Sequence, residues 1–232
     1  MSLQNELESE LKSRGADFIC FTDISRLSDK LNRGFPNAIL LGIVLSREFI
    51  REVTESPDYV QNMIRTGKID EDEFSLKEIQ TDRLADFTAD CLLSRGYSAC
   101  SQSENHLEAS GYYHPKTKTT VLPHKTIAGY AGLGWIGKHD LLVTPEYGSA
   151  ICMCTALTNA PLDTVFHAPA KSRCGDCCVC KDVCSVEAIV GNTWHISTSR
   201  DELADVYKCT TCLKSMVFCP RTQAYINGSD KR

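Results

Sequence analysis

The chain has 232 residues, thirteen of them cysteine, and a formal net charge of −5 from 25 basic and 30 acidic residues. A chain of this length buries roughly 70–75% of its unfolded surface, so it needs no disulfide framework to fold. The net negative charge disfavours a protein that mainly grips nucleic-acid phosphates. No apolar stretch approaches the ~20 residues of a membrane-spanning helix, and the charged N-terminus does not resemble a signal peptide. We therefore expect a cytoplasmic protein, free of the membrane, whose thiols stay reduced.

Hydrophobic periodicity predicts a mixed α/β domain over 1–168, because apolar runs of strand length alternate with helical patterns. The predicted elements are, in chain order, a helix over 3–14, strands over 18–21 and 38–45, a helical region over 57–95 broken near Gly67 and capped by Gly96, a strand over 97–101, a loop over 111–119, a helix over 124–131, and strands over 140–144 and 149–157. A cysteine-rich module follows over 169–222. A polar tail occupies 223–232, and the last dozen residues are expected to be frayed.

The cysteine-rich module contains the spacing C-x2-C-x2-C-x3-C, which is typical of chains that wrap a 4Fe-4S cluster. The first run consists of Cys174, Cys177, Cys180 and Cys184. The second run has the same frame and a closing Cys-Pro, and its cysteines are Cys209, Cys212 and Cys219. Such clusters transfer single electrons, so the spacing predicts a redox protein.

In two-cluster ferredoxins the fourth cysteine of each run binds the other cluster. This rule predicts one site from Cys174, Cys177, Cys180 and Cys219, and a second from Cys184, Cys209 and Cys212. Structural zinc also binds paired C-x2-C motifs, but it needs one closed set of four ligands and does not explain the spacing. A disulfide cluster is disfavoured by the expected reducing compartment.

Ser215 stands where the third cysteine of the second run belongs. Four outcomes are open: serine ligation, a ligand from elsewhere, an open iron, or a cluster that lacks an iron or is missing. The candidate donors from elsewhere are Cys178, Cys152 and Cys154, although a small buried hydrophobe is the commoner role of a spare cysteine. The remaining cysteines are expected in the core; they are Cys20, Cys91 and Cys100.

The segment AGLGWIGK over 131–138 contains G-x-G-x-x-G, which superficially matches a dinucleotide-binding fingerprint. That fingerprint follows a strand, opens a helix, and has an acidic residue about 20 positions later. Here a predicted helix precedes the glycines, a predicted strand follows them, and the region near Cys152 is not acidic. We therefore expect a tight turn at which the backbone approaches a flat ligand or a cluster.

The segments AGLGWIGKHDLLVTPEYGSAI and CGDCCVCKDVCSVEAI resemble the epoxyqueuosine reductase family and its corrinoid-dependent relatives, the reductive dehalogenases. The resemblance covers about 120–220. It implies an α/β domain related to flavin nitroreductases, followed by a ferredoxin-like module whose 4Fe-4S clusters feed electrons to a cobalamin; FMN is the second choice of cofactor. It also implies that the AGLGWIGK turn, 140–157 and the cysteine runs border a cofactor cleft.

The chain departs from that family in two further respects. Epoxyqueuosine reductases are longer and carry a C-terminal helical-repeat domain that helps bind tRNA, so we expect a short form without that domain. The family also uses an acidic proton donor upstream of the glycine turn, whereas 119–125 reads TTVLPHK and contains no carboxylate. We therefore do not expect tRNA epoxide reduction, and nucleic acid is an unlikely partner.

Residues around the turn are the candidates for chemistry and cofactor binding. His124 is the candidate catalytic residue, because an imidazole can donate a proton or touch a cofactor. Lys125 and Lys138 are candidates to pair with a phosphate or carboxylate. The turn itself contributes the cofactor-binding candidates Gly132, Gly134, Trp135 and Gly137.

Two functions are compatible with these features. The first is an iron–sulfur oxidoreductase that passes single electrons to a cofactor or small substrate, supplied by a redox partner protein or a small-molecule donor. The second is a non-catalytic electron carrier or assembly partner whose cleft is empty.

Overall fold

The computed structural model describes residues 2–56 and 58–228. Pro57, at which the predicted helical region begins, lies outside the described residues, as do positions 229–232 of the predicted polar tail. The helices are α1 (Leu3–Ser13), α2 (Asp29–Asn32), α3 (Arg47–Glu55), α4 (Tyr59–Arg65), α5 (Glu73–Ser94), α6 (Glu104–Ala109), α7 (His124–Tyr130), α8 (Val179–Asp182), α9 (Lys214–Val217) and α10 (Pro220–Asn227). The strands are β1 (Phe18–Asp23), β2 (Asn37–Val44), β3 (Ala99–Ser101), β4 (Tyr113–His114), β5 (Thr119–Thr120), β6 (Trp135–Ile136), β7 (Leu142–Val143) and β8 (Ile151–Thr158).

Helices and strands alternate along the chain, which confirms the predicted mixed α/β fold class. The chain folds into two compact units. The first contains residues up to 43, 77–132 and 152–168, and the second contains 44–76, 133–151 and the chain from 169 onward. Each unit is therefore built from segments that are far apart in sequence.

The first unit is organised by a four-stranded sheet with the order β1-β2-β8-β3. β1 pairs antiparallel with β2, and β3 pairs antiparallel with β8. The apolar run of β2 is buried on both faces, as its continuous Ile-Leu-Leu-Gly-Ile-Val pattern predicts. The core combines side chains of α1, β2 and α5 with Cys154 of β8; its largest members include Leu7, Leu11, Ile39, Leu41, Leu84 and Leu92.

The long helical region predicted over 57–95 divides at Gly67, as expected. Gly67 has a positive φ of 69°, which a residue without a Cβ adopts without strain. α4 ends before this glycine, a short 3-10 turn follows over Ile69–Glu71, and α5 then runs to Ser94. Gly96, with φ 84°, follows the end of α5 as the predicted cap.

The second unit holds short helices and the hairpin of β6 and β7. α10 overturns one expectation, because residues 220–227 are helical and not frayed. Pro220 occupies the first turn of this helix, where its missing N–H costs nothing, and Gly228 ends it with a left-handed φ of 67°. Ile226 and Thr222 are buried, so α10 packs against its unit. No helix within 2–56 or 58–228 is both long and apolar enough to span a bilayer.

Candidate metal-cluster site

Four cysteines of the second unit lie close enough to interact electrostatically: Cys174, Cys177, Cys180 and Cys219. The pKa of the Cys180 thiol is raised to about 11, mainly by burial, with further contributions from the neighbouring Cys174, Cys219 and Cys177 thiols. Burial also raises the pKa of Cys219, to which Cys174 and Cys177 contribute as well. The structure therefore brings together the set that the ferredoxin rule selects, including the member that is distant in sequence.

Local backbone structure positions each of these thiols. The Cys177 amide donates to the Cys174 carbonyl at 3.1 Å, which closes a turn through Gly175. Cys180 is the second residue of α8, while Cys219 is the N-cap of α10. The backbone N–H groups of the first turn of α10 donate to the Cys219 sulfur and favour its thiolate form.

One of those donors, Thr222, links this site to the segment Glu-Tyr-Gly-Ser over 146–149. The Ser149 amide donates to the Thr222 hydroxyl at 3.0 Å. A Cβ on Gly148 would lie 2.3 Å from the Thr222 backbone nitrogen, so only glycine fits there. The Tyr147 ring meets the Tyr225 ring of α10 edge to face at 5.6 Å. The 146–149 segment therefore packs against α10, whose N-cap Cys219 carries the fourth thiol.

The chemistry of these donors fits an iron–sulfur cluster. All thirteen cysteines are free thiols, as metal-bound thiolates require. Within residues 2–56 and 58–228, no three His, Cys, Asp or Glu side chains are arranged to hold a single metal ion. A single zinc ion would draw its thiolates to ~2.3 Å from one point. A four-iron cluster is larger, so the thiolates that bind it lie further from one another. The fit of the four thiols therefore rests on their identity, grouping and spacing.

The cysteines of the second predicted set are more exposed to solvent than those of the first. Cys209 is exposed, and Cys184 and Cys212 are half-buried. The Ala188 amide donates to the Cys184 sulfur at 3.2 Å. Ser215 is half-buried on α9, next to the buried Met216.

Each glycine of the turn has a specific neighbour within the protein. In the first unit, a Cβ on Gly132 would lie 2.9 Å from the His167 ring. In the second unit, a Cβ on Gly134 would lie 2.0 Å from the Val143 carbonyl oxygen, and one on Gly137 would meet the His139 ring at 2.6 Å. Gly134 therefore allows β6 to approach β7 closely.

Two side chains of the turn are buried in the second unit. Trp135 is 3% exposed, and its indole N–H has no hydrogen-bond partner among the described residues. The Arg173 and Arg221 guanidinium groups lie 5.4 and 5.8 Å from its ring centroid. Lys138 is 7% exposed and has no carboxylate partner within the described part of the chain. A lysine ammonium without a carboxylate partner can pair with an anionic group supplied by a ligand.

Sequence reasoning missed the two arginines. Arg173 precedes Cys174, and Arg221 follows Cys219 by two positions. Their places next to predicted ligand cysteines could have indicated a role, because a cluster bound by four thiolates carries negative charge that an arginine can balance. The position of both arginines near the Trp135 ring depends on the tertiary fold and could not have been found from spacing.

His124 lies at the start of α7 in the first unit. Its Nδ1 is 2.9 Å from the Thr155 hydroxyl oxygen of β8. Burial lowers the pKa of the imidazole to about 4, so the ring is uncharged at neutral pH. Neutral imidazole is a hydrogen-bonding group or a proton acceptor, not a charged acid. Lys125 is half-buried beside it on the same helix.

The spare cysteines occupy ordinary packing positions in the first unit. Cys154 is fully buried in the core, where burial and the neighbouring Asp82 carboxylate raise its pKa. Cys152 is 4% exposed on the same strand. Burial raises the pKa of Cys20 to about 11. Cys91 packs against the core, and the Cys100 sulfur accepts a hydrogen bond from Arg33 at 2.5 Å.

Solved structures with this mixed α/β fold define the class to which the architecture corresponds. An epoxyqueuosine reductase in complex with an epoxyqueuosine-modified tRNA-Tyr stem loop aligns with a TM-score of 0.55 and 17% identity, over 96% of this chain and 66% of that chain. A reductive dehalogenase described in terms of B12-dependent dehalogenation aligns with a TM-score of 0.61 and 18% identity, over 97% of this chain and 34% of that one. At these identities the likeness establishes the fold.

Sequence similarity points to the same proteins. The epoxyqueuosine reductase of Listeria monocytogenes is 30% identical over 124 residues, which span 46% of this chain and 31% of that protein. No protein-family model matches the chain. The resemblance to epoxyqueuosine reductases and to their reductive dehalogenase relatives, predicted from the motifs, is therefore confirmed. The similar region covers less than a third of the Listeria protein.

Proposed function

We propose that this protein is an iron–sulfur oxidoreductase that passes single electrons to a corrinoid, with a flavin as second choice. The observation that carries the proposal is the grouping of Cys174, Cys177, Cys180 and Cys219. Thiolates in this set suit a 4Fe-4S cluster, which supplies one-electron transfer when bound. The similarity to epoxyqueuosine reductases and to a B12-dependent dehalogenase supports the choice of cofactor.

The residues around the four thiols have defined tasks in this proposal. Cys180 is buried, so its position keeps water away from one corner of the site. The N–H donors at the start of α10 stabilise negative charge on the Cys219 sulfur, and such donors favour the reduced state of a cluster. Arg173 and Arg221 add positive charge beside the same two chain segments.

We assign cofactor contacts to Lys125 and Lys138, whose ammonium groups can pair with anionic substituents of a cofactor. Gly132, Gly134 and Gly137 shape the turn that presents Lys138, and Trp135 supports it. His124 contributes a neutral hydrogen-bonding group. Each assignment is a proposal that cofactor titration of single variants can test.

We propose a small molecule as the substrate and a redox protein or small reductant as the electron donor. The net charge of −5 and the absence of a carboxylate in 119–125 support this choice over tRNA. The tRNA stem loop bound by the neighbouring structure gives the opposite indication, although only weakly at 17% identity. A cytoplasmic location follows from the need for reduced thiols.

A non-catalytic electron carrier is the second candidate. The uncharged state of His124 favours it, because no charged acid then stands on the segment where a proton donor is expected. The carrier and the enzyme both need the cluster, and they differ in whether a cofactor binds.

Oxygen-free purification followed by iron quantitation and absorption spectroscopy tests the proposal. Wild-type protein should hold at least about four irons per chain, and Cys180→Ala should lose the first cluster. Cys91→Ala is the control, because this half-buried cysteine of the first unit belongs to neither set and is not a candidate donor, so its loss should leave the iron content unchanged. An iron-free wild-type protein would refute the oxidoreductase and the carrier together.

Cofactor titration separates the two remaining functions. Stoichiometric uptake of cobalamin or FMN, weakened by Lys138→Gln, is expected for the enzyme. Full iron content without uptake of either cofactor would leave the electron carrier.

A further inference from the structure

The cysteine-rich module is an internal repeat in structure as well as in sequence. Cys174, Cys177 and Cys184 recur 35 positions later as Cys209, Cys212 and Cys219. α8 and α9 are both four residues long and begin at Val179 and Lys214, again 35 positions apart. Both helices end in nearly the same backbone conformation, with C-cap φ values of −85° and −82°. The two helices and the cysteines that follow them therefore correspond in the backbone, whereas the loops before them differ: the N-cap φ is −123° at Cys178 and 62° at Leu213.

Ser215 is the counterpart of Cys180 in this repeat. Each is the second residue of its helix, α9 or α8. Cys180 belongs to the four-thiol group, so Ser215 occupies the equivalent corner of the second site. The Ser215 hydroxyl makes no hydrogen bond to another residue within the described part of the chain.

A serine at this corner is a poor substitute for the thiolate. Bonds from carbon and from iron to oxygen are shorter than those to sulfur, so α9 would have to move inward for the hydroxyl to reach iron. The helix is fixed by its neighbours, since Met216 is 3% exposed and Val217 is fully buried. A serine hydroxyl is also far less acidic than a thiol, and iron–sulfur clusters select soft thiolate donors.

The second site is also more accessible to solvent than the first. Cys209 is exposed where its counterpart Cys174 is half-buried. Ser215 is half-buried where its counterpart Cys180 is buried. Lys208 and Lys214 immediately precede Cys209 and Ser215, so two cationic side chains are attached to the segments that carry this site. Such surroundings admit a small anion from solution.

We propose that Ser215 leaves one iron of the second site without a protein ligand, and that this iron binds a small thiolate from solution. The inference rests on the proposed function, because it requires a cluster held by Cys184, Cys209 and Cys212. It assigns to this chain a ligand-binding iron on its exposed side, whereas the first site has four protein thiolates.

The test compares wild-type protein with Ser215→Cys and Ser215→Ala, each purified without oxygen and enriched in iron-57. Mössbauer spectroscopy should show about one iron in eight with distinct parameters in wild type and in Ser215→Ala. Titration with 2-mercaptoethanol should shift the electron paramagnetic resonance of the reduced second cluster in both. Ser215→Cys should hold the same amount of iron and show no response to the thiol. Thr210→Ala, which removes an exposed hydroxyl of the same loop, should behave as wild type.

Other outcomes would overturn the inference. A wild-type cluster that ignores the thiol, together with iron loss in Ser215→Ala, would show that serine is the ligand. No thiol response in either protein, with full iron content in both, would show that another group of the protein completes the site. Three irons in the wild-type second site, or none, with recovery only in Ser215→Cys, would also refute it. In all these cases the first cluster would survive, whereas complete absence of iron would refute the proposed function itself.

Discussion

The buried imidazole of His124 should make the stability of the protein depend on pH in a predictable direction. Its pKa is about 4 in the folded protein and about 6.5 in an unfolded chain. As pH falls below about 6.5, the unfolded state therefore binds a proton that the folded state does not, and stability decreases. The loss is complete only once the pH falls below the folded-state value.

The size of the effect follows from the two pKa values. Each pKa unit corresponds to about 1.4 kcal/mol, so the full effect of His124 is about 3 kcal/mol at most. Between pH 7 and pH 5 the unfolded imidazole becomes almost fully charged while the folded one stays neutral. The expected destabilisation over that interval is about 2 kcal/mol.

Urea unfolding of wild type and His124→Gln at pH 7 and pH 5 measures this contribution. Glutamine cannot titrate, and its amide can still hydrogen-bond the Thr155 hydroxyl, so its stability should fall by about 2 kcal/mol less over the interval. Thr155→Ser is the matched control: it disturbs the same contact and keeps the imidazole, so its pH dependence should equal that of wild type. Equal pH dependence in wild type and His124→Gln would refute the buried neutral state. The imidazole would then be available as a charged acid.

Two further predictions concern glycines of the second unit. Gly134→Ala places its Cβ 2.0 Å from the Val143 carbonyl oxygen and should destabilise the protein by about 1–3 kcal/mol in urea unfolding. The added Cβ of Gly175→Ala meets no atom within 4 Å, so this change should lower the stability only by the strain of a left-handed backbone, about 1–2 kcal/mol. Unlike Gly134→Ala, it should leave the amides of the β6–β7 hairpin protected from hydrogen exchange. Gly148→Ala should displace the Thr222 backbone, loosen Cys219 and lower the iron content of the first cluster, which iron quantitation would detect against Gly67→Ala, a left-handed glycine of the same unit with no atom within 4 Å of its added Cβ. Unchanged iron in Gly148→Ala would contradict the support that we assign to the 146–149 segment.

Long helices and strands with a regular hydrophobic pattern were predictable from sequence, because the spacing of their apolar residues indicates which side chains are buried. α1 shows leucines one turn apart, and β2 is a continuous apolar run from Ala38 to Val44. α3 was missed, although it carried a usable signal. Ser46 precedes it, and the Ser46 hydroxyl accepts a hydrogen bond from the Phe49 amide at 3.0 Å, which is the N-cap pattern. The buried residues Phe49, Ile50 and Val53 then follow on one face.

The candidate site was predictable only where chemistry fixes spacing. Thiolate spacing around a cluster is narrow, so the cysteine runs selected both sets of candidate ligands. Contacts between distant segments leave no such local signal: Arg173 and Arg221 each lie within 6 Å of the centre of the Trp135 ring, and Trp135 is 38 positions before the first and 86 before the second. The pKa of His124 was equally hidden, because it depends on burial under β8 and not on its neighbours in sequence.

The motifs that carry the resemblance to epoxyqueuosine reductases are joined physically within the second unit. Gly148 has no Cβ, so the Thr222 backbone can approach it closely. The Ser149 amide donates a hydrogen bond to the Thr222 hydroxyl, and the Thr222 amide donates in turn to the Cys219 sulfur. A change in the Glu-Tyr-Gly-Ser segment therefore acts on the thiol that closes the first set, about 70 residues later in the chain. Ser215 lies in the same half of the repeat as Cys219, four positions before it, but none of the contacts that join Gly148, Ser149, Thr222 and Cys219 involves it.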